Sequence, residues 1–294
     1  MNQFNFTTEI DTLSIQIDCK DMEEQQYVRY LIKRAVGEYN KVWIEFNNIL
    51  QEDEIFFNRN KIGGIRLGMT PIGYDQLNKK HIMKYYVSVS FAGLKSYHFM
   101  LDNLSKNCLF ACCGILNMFN YDYKFTELDL CIDMQTDIKN ILVFCVSKLP
   151  RTGYHPLDNS FYNGDSVYIE KLDEYELNYA SQRSYLYNKA KKENLPFPMT
   201  RFEQKLLKPF FSNNLELDYE TIDNALNRYM VLYFDNLFEK ELVINKYNSY
   251  SRIGKRDILR MNLDKYILNP NAEKVVSFLE YLKSYRLCWN KLPT

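Results

Sequence analysis

Apolar and polar residues alternate through Thr12-Leu-Ser-Ile-Gln-Ile-Asp18, the period of a half-buried strand. The spacing turns helical over 21–36, where Tyr27, Leu31 and Ala35 fall on one face. Val42-Trp-Ile-Glu-Phe46 reads as a short strand, and 54–68 as a hairpin turning at Gly63-Gly64. Residues 85–91 alternate again, and 97–120 form an apolar, mostly buried helix. The order then begins afresh. Glu127-Leu-Asp-Leu-Cys-Ile-Asp133 is a strand, 137–149 an amphipathic helix, and 166–170, 184–189 and 200–206 are strands. Residues 217–240 are helical, and two further helices, 257–268 and 272–289, flank Pro270.

Thr12–Asp18 and Glu127–Asp133 share a pattern: three alternating apolar residues, a terminal aspartate, then a helix. Either two ordinary strand-to-helix junctions coincide, or a β-α-β-β-β-α unit occurs twice. The expected fold is therefore α+β: a largely antiparallel, twisted sheet of two β-α-β-β-β-α-like halves, with helices on one face. The expected division is a catalytic domain, 1–240, with its pseudo-repeat at 10–120 and 125–240. A helical segment, 241–294, follows.

Composition narrows the functional classes. The chain has 294 residues and a formal net charge of zero, so it is no general nucleic-acid coat; any DNA contact must come from local patches. The seven cysteines form no CxxC pair and no zinc-finger spacing with histidine, and read as buried, reduced thiols. The polar, acidic start MNQFNFTTEID is no signal peptide, and the longest apolar run, near Cys108–Phe119, is too short for a bilayer. A soluble, cytoplasmic protein without a membrane partner is expected.

Three segments carry candidate chemistry. On the strand 127–133, Leu128, Leu130 and Ile132 share the inner face, while Asp129, Cys131 and Asp133 share the other. Two carboxylates side by side repel unless a cation such as Mg²⁺ or Mn²⁺ lies between them, or unless the strand simply faces solvent. In Gln182-Arg-Ser-Tyr-Leu-Tyr-Asn-Lys-Ala190, a strand puts Arg183, Tyr185, Tyr187 and Lys189 on one face. A tyrosine among cations suits phosphoryl chemistry, because cations hold phosphate and favour the phenolate. In Thr200-Arg-Phe-Glu-Gln-Lys-Leu206, Arg201, Glu203 and Lys205 share a face. Glu203 is placed to join Asp129 and Asp133, and Arg201 to fork onto a phosphate.

Taken together, Thr126-Glu-Leu-Asp-Leu-Cys-Ile-Asp133, Arg183-Ser-Tyr-Leu-Tyr-Asn-Lys189 and Thr200-Arg-Phe-Glu203 resemble the rolling-circle replication initiation factors. That family covers plasmid initiators, filamentous-phage initiators and relaxases of conjugative elements. Asn40-Lys-Val-Trp-Ile-Glu-Phe46 is a weaker match, and Glu127 stands where such proteins commonly carry arginine. The resemblance implies a site-specific single-strand endonuclease that forms a 5′-phosphotyrosine and initiates replication at an origin. Tyr187 is then the nucleophile, with Tyr185 in reserve, and Arg201 and Lys189 assist. Asp129, Asp133 and Glu203 would hold Mg²⁺ or Mn²⁺. Arg183, Tyr185, Lys191, Lys192, Lys205, Arg252, Lys255 and Arg256 would contact DNA, either a hairpin origin or a single-stranded nick site. A homodimer and a host helicase are the implied partners. The alternatives are a relaxase of an integrative conjugative element, or a DNA-binding protein that keeps the scaffold without the chemistry. A nickase with a His-hydrophobe-His metal motif is excluded, because His81, His98 and His155 lie far apart.

Overall fold

The computed structural model describes residues 8–39, 41–95, 104–145, 161–163, 166–168, 180–214, 216–249, 267–268 and 272–287. The fold is mixed α+β, with two compact units: Ile10–Leu128 with Ser277–Thr294, and Met1–Glu9 with Asp129–Val276.

The first of these units is built on five strands in the order β2-β3-β4-β5-β1. They are β1 (Thr8–Cys19), β2 (Val42–Asn47), β3 (Glu52–Phe57), β4 (Asn60–Asp75) and β5 (Lys80–Ala92), with every neighbouring pair antiparallel. In β1 Leu13, Ile15 and Ile17 are fully buried as the alternation predicts, but Ser14 and Gln16 on the other face are buried as well, so the strand is covered on both sides rather than half-buried. Helices α1 (Met22–Gly37) and α2 (Leu104–Met118) pack on each other and on β5. Val28, Leu31 and Ile32 of α1 and Leu109, Cys112 and Leu116 of α2 are buried. Asp21 caps α1, its carboxylate accepting from the Glu24 N–H at 2.8 Å. Asp21→Ala should cost about 1 kcal/mol. A lower denaturant midpoint at unchanged slope is the signature to look for.

The hairpin between β3 and β4 turns at Asn58-Arg59, both left-handed (φ 47° and 69°), and not at Gly63-Gly64 as expected. The two glycines lie inside β4, and a Cβ on Gly63 would sit 2.5 Å from the Ser90 carbonyl. They mark close backbone approach across the sheet, a second use of glycine that a turn reading misses. The buried helix expected over 97–120 is α2, its first residues lying outside those described.

The second unit contains the far part of β6 (Lys124–Met134), which leads into it from the first. Beside β6 run β11 (Thr200–Leu206), β10 (Gln182–Asn188), β9 (Ser166–Tyr168) and β8 (Phe161–Asn163). A smaller sheet consists of β7 (Ile141–Cys145), β12 (Tyr229–Tyr233) and β13 (Ile267–Leu268). Helices α3 (Lys189–Glu193), α4 (Lys208–Asn213), α5 (Tyr219–Leu226) and α6 (Leu237–Ser249) belong to it, while most of α7 (Ala272–Ser284) belongs to the first unit. Of the helix expected over 137–149, the described part is instead a short 3-10 turn at Ile138–Asn140 followed by strand β7, and 146–149 lie outside the described residues. The one expected over 217–240 is broken by β12. Each error has one cause. Ile141-Leu-Val-Phe-Cys145 and Tyr229-Met-Val-Leu-Tyr233 are β-branched and aromatic runs that pair antiparallel with each other, and long-range pairing overrides local periodicity. Their faces close a core with Ile132, Met134, Leu186 and Phe202. The inner face of this unit is thus covered partly by a second sheet. Of the expected helix 257–268 only 267–268 is described, and it is strand; 272–284 is helical as expected.

Five cysteines, Cys19, Cys108, Cys112, Cys113 and Cys131, are buried free thiols. Burial pushes the Cys113 thiol up to about 12. No described helix is long and apolar enough to cross a membrane.

Candidate active site

The candidate residues meet on the face of β6, β11 and β10 opposite the core. On each strand the alternation divides the two sides. Ile132, Leu186 and Phe202 enter the core, while Asp133, Tyr187 and Arg201 point the other way. The register between β10 and β11 sets Arg183 against Lys205, Tyr185 against Glu203, and Tyr187 against Arg201. This convergence of three sequence-distant strands is what the motif reading required.

Glu203 is at its centre. It is buried, and both phenols donate to it: Tyr185 at 2.5 Å to Oε1 and Tyr187 at 3.1 Å to Oε2. The two rings are stacked, with centroids 6.1 Å apart. The tyrosines are not equivalent. Burial, then the charge of Glu203 and the hydrogen bond to it, push the Tyr185 phenol far above its ordinary value, so Tyr185 is held neutral. Over the Tyr187 ring lies the Lys192 ammonium, 4.9 Å from the centroid. The contact is a cation–π interaction. Tyr187 therefore has a carboxylate at its hydroxyl and a cation at its face. Its side chain is only 4% exposed.

The other carboxylates are engaged by cations. Arg201, fully buried, forks onto Asp133 through Nε at 2.6 Å and Nη2 at 2.9 Å. Lys205 Nζ lies 2.7 Å from the buried Asp129. Among the described residues no group of three or more His, Cys, Asp or Glu side chains is gathered as a metal-binding set. A divalent ion on Asp129, Asp133 and Glu203 would have to displace Arg201 and Lys205, so this arrangement does not fit one. Where a phosphate was expected, Arg201 has a carboxylate of its own chain.

Lys189 departs from the expected face. The strand ends at Asn188, whose side chain accepts from the Lys191 N–H at 2.9 Å and so caps α3. Lys189 is thereby turned onto the helix, buried, and paired with Glu193 at 2.8 Å. Lys191 and Lys192 are exposed on the same helix, and Arg183 is half-buried. Arg252, Lys255, Arg256, His98 and His155 lie outside the described residues. Glu127, on the outer part of β6, accepts from the Ser14 hydroxyl at 3.4 Å. Sequence reasoning missed the role of Asn188 and the seat of Lys192 over Tyr187. An asparagine directly before Lys-Ala-Lys-Lys is an N-cap signal that would have ended the strand correctly.

No protein-family model matches the chain, and neither does any curated protein. Among solved structures the chain is similar to a rolling circle replication initiator protein from Geobacillus stearothermophilus. The identity is 11% and the TM-score 0.39, over 97% of this chain and 99% of that one. At that TM-score the likeness decides nothing about chemistry.

Proposed function

We propose that the protein is a replication initiator that cuts and rejoins one DNA strand through Tyr187. The observation that carries the reading is the Tyr187 hydroxyl donating to Glu203 at 3.1 Å beneath the Lys192 ammonium. A carboxylate in that position takes the phenolic proton as the oxygen attacks phosphorus. A P–O bond to tyrosine forms and the P–O3′ bond breaks. The 3′ oxygen leaves and is protonated from solvent. No oxidant or nucleotide is consumed, and the phosphotyrosine keeps the energy needed to reseal the strand. Tyr185 positions Glu203 through the second hydrogen bond. Because Tyr187 is enclosed, the DNA strand must displace its cover, and Lys192 on the short helix α3 is the group over the ring. Lys191 and Lys192 then meet the phosphates. Assembly as a homodimer, action in the cytoplasm and recruitment of a host helicase belong to the same proposal. A relaxase would use the same residues.

A second reading, sequence-specific DNA binding without chemistry, is favoured by one observation. Arg201 and Asp133 are committed to each other in a forked ion pair. The test separates the two. Purified protein is mixed with single-stranded oligonucleotides tiled across its own gene neighbourhood, with Mn²⁺ present so that an ion arriving with the substrate is not withheld. The proposal expects a denaturant-stable protein–DNA adduct whose mass spectrum places the nucleotide on the peptide bearing Tyr187. Binding without any adduct would favour the second reading.

A further inference from the structure

The hairpin of β4 and β5 extends well past the rest of its sheet. On one side, β3 stops pairing at Glu52 opposite Arg66; on the other, β1 stops at Cys19 opposite Tyr85. Beyond those points, among the described residues, β4 and β5 pair only with each other, out to Asp75 opposite Lys80. Residues 70–75 of β4 and 80–84 of β5 make a two-stranded ribbon about 17 Å long.

Its composition is not that of a folding element. Ile72 is 62% exposed, Tyr74 53% and Ile82 50%. At the apex Leu77 is 94% exposed, although the turn around it is carefully made. The Asp75 carboxylate accepts from the Leu77 and Asn78 N–H groups at 2.9 and 3.2 Å, and Lys79 closes the turn at φ 49°. Such turns favour polar residues, and a leucine at the tip buries nothing. Lys79 and Lys80 follow it, both exposed and, among the described residues, in no ion pair. Asp75 is the ribbon's one carboxylate, and its oxygens are taken by the turn. Pro71 and the register shift between Pro71 and Gly73 spoil β4 as an edge for another strand to join.

We infer that this ribbon is a DNA arm. It enters a groove of duplex DNA, with Lys79 and Lys80 on the phosphates and Leu77 wedged against the bases. A two-stranded ribbon fits the major groove, and apolar wedges on basic arms unstack base steps in the minor groove. The bare lysines fit a polyanion and oppose a second copy of the same arm. The inference rests on DNA as the partner proposed above, but not on the tyrosine chemistry.

The experiment uses the full-length protein and a short fluorescent duplex of mixed sequence, with binding measured across a salt series. Lys79→Ala with Lys80→Ala should weaken binding about tenfold and make the salt dependence shallower by about two phosphates. Leu77→Ala should abolish the rise in fluorescence of a duplex carrying 2-aminopurine. Adduct formation on a single-stranded oligonucleotide should be unchanged in both, so failure of the arm and failure of the nickase give different results. Unchanged duplex binding in the lysine variant would overturn the inference. So would a Leu77→Ala protein that sediments as a smaller species with its DNA affinity intact, which would make the arm a contact between copies.

Discussion

Tyr187→Phe should lower the rate of strand cleavage by roughly four orders of magnitude or more, because it removes the hydroxyl proposed to form the covalent bond. Phenylalanine at 185 should change the rate about tenfold or less, since it removes only one of the hydrogen bonds holding Glu203. The contrast is the informative part. The two tyrosines are two residues apart, on one face, and share one carboxylate. A purely structural cluster would respond to both substitutions alike, through stability. The measurement is single-turnover cleavage of a labelled oligonucleotide, with thermal melts of each variant to show that the fold survives. If the Tyr185 variant loses cleavage and the Tyr187 variant keeps it, the nucleophile has been assigned to the wrong residue.

Arg201→Ala should cost about 3–5 kcal/mol, because it leaves the Asp133 carboxylate without its forked partner in a buried site. In a chain of this size that corresponds to a fall in melting temperature of roughly 6–20 °C. Replacing both partners, Arg201→Met with Asp133→Leu, should recover most of the loss, since a buried ion pair and a well-packed apolar pair are often close in free energy. Calorimetry on the two single variants and the double variant closes the cycle. A loss below about 1 kcal/mol for Arg201→Ala would mean that the pair contributes little to the fold and that the arginine is available to substrate.

Much of this was legible in the chain itself. The period-two alternation located β1, β6, β10 and β11 and told their faces apart, because side-chain direction in a strand follows from position alone. The three short motifs lie on the neighbouring strands β6, β11 and β10. What the chain did not reveal was partner choice. Whether Asp133 binds a metal or Arg201 depends on register between strands 68 residues apart, and the register comes from the core behind them. The failures at 137–149 and 217–240 have the same origin. Within these spans, 141–145 and 229–233 are strand because each pairs with the other, while 219–226 is helical as its spacing predicts. Lys189 was misplaced for a local reason, the cap at Asn188, and that one was readable.

The alternation along β10 also restricts how this gene is able to vary. Losing or gaining one codon between positions 182 and 187 would exchange the two sides of the strand, carrying Leu186 outward and driving the tyrosine hydroxyl into hydrocarbon. Indels should therefore be purged from this stretch in any lineage that keeps the fold, even where substitutions are freely accepted.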